Sequence, residues 1–184
     1  MERYEIIDKE TLWEGRYLRC VRLSYHDSQG VLRHWESVER VHCDGVVAVV
    51  PVTDEGEILL IRQFRPAVNG MVIEFPAGLN DRGEDIEDAA KRELREETGF
   101  ESEEIKFLAR GPLSSGASNE VLTVFLARGL RFRGIDGRDE TEEIEVLKVR
   151  IEGASELLAQ HEREGDLIDL KIFGLIELAR RQIG

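Results

Sequence analysis

Residues 45–52 read GVVAVVPV, an apolar run rich in β-branched side chains. Such a run suits a strand buried on both faces, since a half-exposed strand would alternate polar and apolar residues. Neighbouring segments extend the pattern. Asp54-Glu55-Gly56 predicts a turn, and residues 57–64 (EILLIRQF) return as a partner strand. Residues 71–75 (MVIEF) form another strand, closed by Pro76. Three more strand candidates are EEIKFLA (103–109), VLTVFLA (121–127) and IEVLKVR (144–150).

The front of the chain is polar and strand-like. Residues 15–41 hold two extended segments around His26-Asp27-Ser28-Gln29-Gly30, which predicts a β-hairpin. Helices are expected over 85–98, 154–164 and 167–183. The first begins with Asp85 followed by Asp88, a pattern like a capping box, and ends at Gly99. Composition shifts near residue 43, from a charged hairpin to an apolar sheet. The expected division is an N-terminal β subdomain at 1–43 and a main domain at 44–184.

Hydrophobic residues at 41% and charged residues at 34% describe a globular protein in water. Cys20 and Cys43 have no metal-ligand spacing and read as reduced thiols. Met1 to Glu5 is polar with no apolar stretch behind it, and no run approaches the roughly 20 apolar residues of a membrane helix. The expected compartment is the cytoplasm, with no membrane partner. A net charge of −13 argues against nucleic acid, which requires a basic footprint. An anionic small molecule stays possible where metal ions supply the positive charge.

The helix at 85–98 carries Arg92, Glu93, Arg95, Glu96 and Glu97 within six positions. With Glu93 set to zero on a helical wheel, Glu97 falls near about 40° and Glu96 near about −60°. Ile86, Ala89, Ala90 and Leu94 lie on the same side, while Glu87, Asp88, Lys91 and Arg95 occupy the other. The three glutamates therefore continue the apolar face and point towards the body of the domain or a cleft in it. Inward carboxylates must protonate, pair with cations or gather metal ions. Salt bridges to Arg92 and Arg95 are the plain alternative. A hard divalent ion is the better match for three clustered oxygens.

Gly78, Glu84, Arg92-Glu93-Leu94, Glu96-Glu97 and Gly99-Phe100 stand at the spacings of the Nudix box, Gly-x5-Glu-x7-Arg-Glu-U-x-Glu-Glu-x-Gly-U, over 23 residues. The chain resembles the Nudix hydrolases. HWESVERV (34–41), IRQFRPAVNGMVIEFPAGL (61–79) and SSGASNE (114–120) are similar to the ADP-sugar diphosphatase (ADP-ribose pyrophosphatase) branch. Ser115 stands where members often have proline, and GDP-mannose hydrolases share a similar layout.

The resemblance implies an α/β (α+β) Nudix fold, a central mixed β-sheet sandwiched between helices, with the N-terminal β-hairpin subdomain in front. It implies Mg²⁺-dependent hydrolysis of the diphosphate of a nucleotide sugar, with Mn²⁺ an admissible substitute. ADP-ribose, giving AMP and ribose 5-phosphate, is the first choice, and a non-catalytic nucleotide-sugar sensor is an alternative of another class. Glu93, Glu97 and Glu96 are the implied metal ligands, with the Ala77 carbonyl a fourth. Arg92 orients a glutamate. Glu84 reaches the site from the loop before the helix, or supports it. Arg65 and Arg40 are implied phosphate clamps, against the alternative of surface arginines. Glu74 contacts ribose or metal, or ends a strand. Trp35, and more weakly Tyr17, stack on the base across a homodimer with swapped front segments, or else pack on their own domain. The general base falls at Glu142 in the acidic loop 136–146, with Glu140 and Glu143 as alternates.

Overall fold

A computed structural model describes residues 4–135 and 143–183. Its interior is organised around β4 (Gly45–Pro51), the strand expected to be buried on both faces. β4 pairs antiparallel with β7 (Ala77–Asn80) and parallel with β9 (Val121–Phe132). β9 in turn pairs antiparallel with β8 (Phe100–Pro112), giving a mixed sheet in the order β7-β4-β9-β8. A second four-stranded sheet runs β10-β5-β6-β11, from β10 (Ile144–Arg150), β5 (Glu57–Arg65), β6 (Gly70–Glu74) and β11 (Leu167–Ile168).

Alternation along β4 divides the core. Ala48 and Val50 join Ile58, Leu60 and Ile73 in one cluster. That cluster also takes Leu158 of α2 (Ala154–Glu164) and Ile172 and Leu175 of α3 (Lys171–Ile183). Val47 and Val49 face the other way, onto Ala89, Ala90 and Leu94 of α1 (Ile86–Thr98). Val47, Val49 and Val50 are fully buried, each contributing roughly 1.5–3 kcal/mol. The expected mixed-sheet α+β architecture is the one found. Among the described residues no helix is long and apolar enough to cross a membrane.

Three local expectations change. The front segment is a three-stranded antiparallel sheet, β1 (Ile6–Glu14), β2 (Leu18–His26) and β3 (Leu32–Arg40), one strand more than a hairpin. The third helix starts at Lys171, because Leu167 and Ile168 pair in parallel with Val72 and Ile73. Asp85 does occupy the N-cap of α1, but its side chain makes no capping hydrogen bond. The other end follows expectation: Gly99 takes φ 78°, and its N–H closes the helix on the Arg95 carbonyl at 2.8 Å.

Candidate active site

The inward face of α1 carries the carboxylates against β7. Glu97 is 4% exposed and accepts a hydrogen bond from the Ala77 N–H at 2.9 Å. The Glu93 carboxylate lies over Gly78 so closely that a Cβ there would overlap it. A side chain at 78 would push that carboxylate aside. Arg92 ties the group together. Its Nε and Nη2 donate to Glu84 at 2.9 and 2.8 Å, and Nη2 also reaches the Leu79 carbonyl at 2.9 Å. Its Nη1 donates to Glu93 at 2.6 Å and to Glu96 at 3.1 Å. Arg82, in the loop before α1, donates to the other Glu96 oxygen at 3.1 Å.

Electrostatics follow from this enclosure. Burial pushes the Glu93 carboxyl up from the usual carboxylate range, against the pull of Arg92. Burial alone would lower the Arg92 guanidinium; its hydrogen bonds to Glu84 and Glu93 and the Glu93 charge outweigh it, and the net shift is upward. Among the described residues no three His, Cys, Asp or Glu side chains converge on one point as a metal cage. Arg92 bridges Glu84, Glu93 and Glu96, and Arg95 pairs with Glu101. The donor set still suits a hard cation. The carboxylates of Glu84, Glu93, Glu96 and Glu97 supply the hard oxygen donors that a divalent ion such as Mg²⁺ takes.

The family description "NUDIX domain" matches residues 43–170. The chain belongs to the Nudix hydrolases. It is an enzyme of that family. Among curated relatives, a methanol dehydrogenase activator of Bacillus methanolicus is 30% identical over 155 residues, covering 84% of this chain and 82% of the relative. An ADP-ribose pyrophosphatase of Bacillus subtilis is 38% identical over 125 residues, covering 67% of this chain and 68% of the relative. A crystal structure of an ADP compounds hydrolase shares the fold with a TM-score of 0.81 at 23% identity, over 100% of this chain and 95% of the other.

Around this Nudix helix the remaining candidates form two further groups. Glu74 of β6 accepts from Arg65 Nε at 2.7 Å and from Gln63 Nε2 at 3.0 Å. Glu74 is in register with Ile61, so Ile61, Gln63, Arg65 and Glu74 share one sheet face. In the front sheet, the Trp35 Nε1–H donates to the Gly116 carbonyl at 3.1 Å, leaving the ring half exposed. Arg40 is ion-paired to Glu120 at 2.6 Å. The 114–120 loop is held to β3 by the Val38 N–H on the Ala117 carbonyl at 2.8 Å. Tyr17 is exposed, with the Arg16 guanidinium 5.0 Å from its ring centre. Glu140 and Glu142 lie outside the described residues; Glu143 is exposed just before β10.

Sequence reasoning gave no role to Arg82, Gln63 or Glu120. Glu120 lies in the SSGASNE segment, 80 residues from Arg40, so only its position in that motif marks it. Gln63 sits two positions before Arg65 on one strand face, a period-two signal that was available. Arg82 occupies one of the unspecified positions of the box, and nothing in its spacing marks it.

Proposed function

We propose that the protein hydrolyses the diphosphate of a nucleotide sugar with Mg²⁺, which Mn²⁺ can replace. ADP-ribose is the preferred substrate, giving AMP and ribose 5-phosphate. One observation carries this reading: box carboxylates gathered on an inward helix face, beside Ala77 and Gly78. Relatives named ADP-ribose pyrophosphatase, from Bacillus subtilis and Saccharomyces cerevisiae, support the choice of substrate.

In this reading Glu93, Glu96, Glu97 and the Ala77 carbonyl hold the ion. When bound, it neutralises the diphosphate charge and polarises its oxygens. Arg92 fixes where Glu93 and Glu96 stand. Arg65 and Arg40 exchange Glu74 and Glu120 for phosphate oxygens, to which a guanidinium offers forked donors. Glu74, released, is free to accept from ribose hydroxyls. Glu142, with Glu140 and Glu143 as alternates, takes the proton of the attacking water, which requires approach to about 3 Å.

The base stacks on Trp35, with Tyr17 opposite, in a homodimer built through the 1–43 subdomain. All nine residues of β1 are exposed, Ile6, Leu12 and Trp13 among them, a surface that favours a second copy. Two unpaired cysteines suit the reducing cytoplasm as its compartment.

Turnover of a panel of ADP-sugars and GDP-mannose, with Mg²⁺ or with chelator, tests the whole. ADP-ribose is expected to turn over fastest, and only with metal. Fast GDP-mannose beside negligible ADP-ribose would overturn the base assignment. Tight binding without turnover of any would support a sensor.

A further inference from the structure

Both oxygens of Glu96 are already engaged by arginines, Oε2 by Arg92 and Oε1 by Arg82, each at 3.1 Å. The two arginines are not equivalent. Arg92 is 15% exposed and braced on Glu84, Glu93 and the Leu79 carbonyl as well. Arg82 is 57% exposed, sits in the loop between β7 and α1, and reaches this network by its hydrogen bond to Glu96, its charge also acting on Glu93. A cation at Glu96 competes electrostatically with both guanidinium groups for that carboxylate, and Arg82 is the one that can turn to solvent without giving up hydrogen bonds to other carboxylates.

We infer that Arg82 is a built-in counter-ion that occupies Glu96 in the metal-free protein and competes with the divalent ion for it. This rests on the metal-binding reading of Glu93, Glu96 and Glu97. The position is one that the Nudix box leaves unspecified, so it can tune metal affinity separately from the box's own carboxylates. Because the Arg82 side of the pair is largely exposed, its effect is modest and screened by salt.

The test is Mn²⁺ binding to the metal-free, substrate-free protein, followed by the EPR signal of free Mn²⁺ at low and high ionic strength. Arg82→Gln should bind Mn²⁺ roughly two- to fivefold more tightly than wild type at low salt, as the loss of an exposed ion pair implies. The gain should shrink at high salt. Arg82→Lys, which keeps the charge, should lie near wild type and guards against a loop effect of the glutamine. Equal affinities of wild type and Arg82→Gln would overturn the competition and leave the metal site standing. Weaker binding by Arg82→Gln would overturn it too, making Arg82 a support for Glu96. A wild-type protein that binds no Mn²⁺ at all would instead sink the metal reading itself, and this inference with it.

Discussion

Replacing Arg92 with glutamine removes the cation that Glu84, Glu93 and Glu96 share. Breaking a buried ion pair from one side costs about 3–5 kcal/mol, because the surviving charge is left uncompensated. Here the partners are 12–22% exposed, so water recovers part of that loss. Arg82 still faces Glu96, and the new amide can donate to the Leu79 carbonyl. About 3 kcal/mol is then the expected loss, which for a chain of this size lowers Tm by roughly 6–12 °C. The assay is a thermal melt at neutral pH in chelator, repeated with rising Mg²⁺. A divalent ion replaces the missing charge, so the deficit should narrow as Mg²⁺ is added, while activity stays low because Glu93 and Glu96 are no longer held. A chelated variant melting within about 2 °C of wild type would refute the reasoning, since that is under 1 kcal/mol.

Gly78→Ala drives a Cβ into the Glu93 carboxylate, the movable end of a side chain. Stability should fall by only about 1 kcal/mol while kcat falls far more; a near-normal kcat would show that Glu93 need not sit there. Asp166 is held below its ordinary pKa chiefly by the Arg62 hydrogen bonds at 2.7 and 2.9 Å, with burial opposing. Its stabilisation is therefore complete above the unfolded value near pH 4 and is lost as pH falls through the lower folded value. Asp166→Asn should lower the urea midpoint at pH 7 by an amount worth roughly 2 kcal/mol and flatten the acid limb; an unchanged acid limb would contradict this. Trp35→Ala should raise KM about tenfold, the effect of losing one stacking contact, with Tm little changed. An unchanged KM with a lower Tm would instead assign Trp35 to packing on the 114–120 loop through its bond to Gly116.

Local periodicity carried a good part of the fold. The unbroken apolar run of β4 foretold burial on both faces, and Val47 and Val49 do pack opposite to Ala48 and Val50. Helical angles placed Ala89, Ala90 and Leu94 on the side of α1 that bears Glu97, and all four are buried. These features depend on a residue's neighbours within one or two turns, which the sequence displays directly. Pairings across long stretches of chain do not have that property. Arg62 finds Asp166 104 residues away, and Arg40 finds Glu120 80 residues away. Leu167 and Ile168, apolar enough to extend a helix, become a strand because the edge of β6 offers them hydrogen bonds. The amino-acid sequence by itself thus determined which faces are apolar and which helix carries the acidic cluster. Only the tertiary structure decided which cation each carboxylate meets, because that choice depends on which distant segments the packed sheets bring within hydrogen-bond reach.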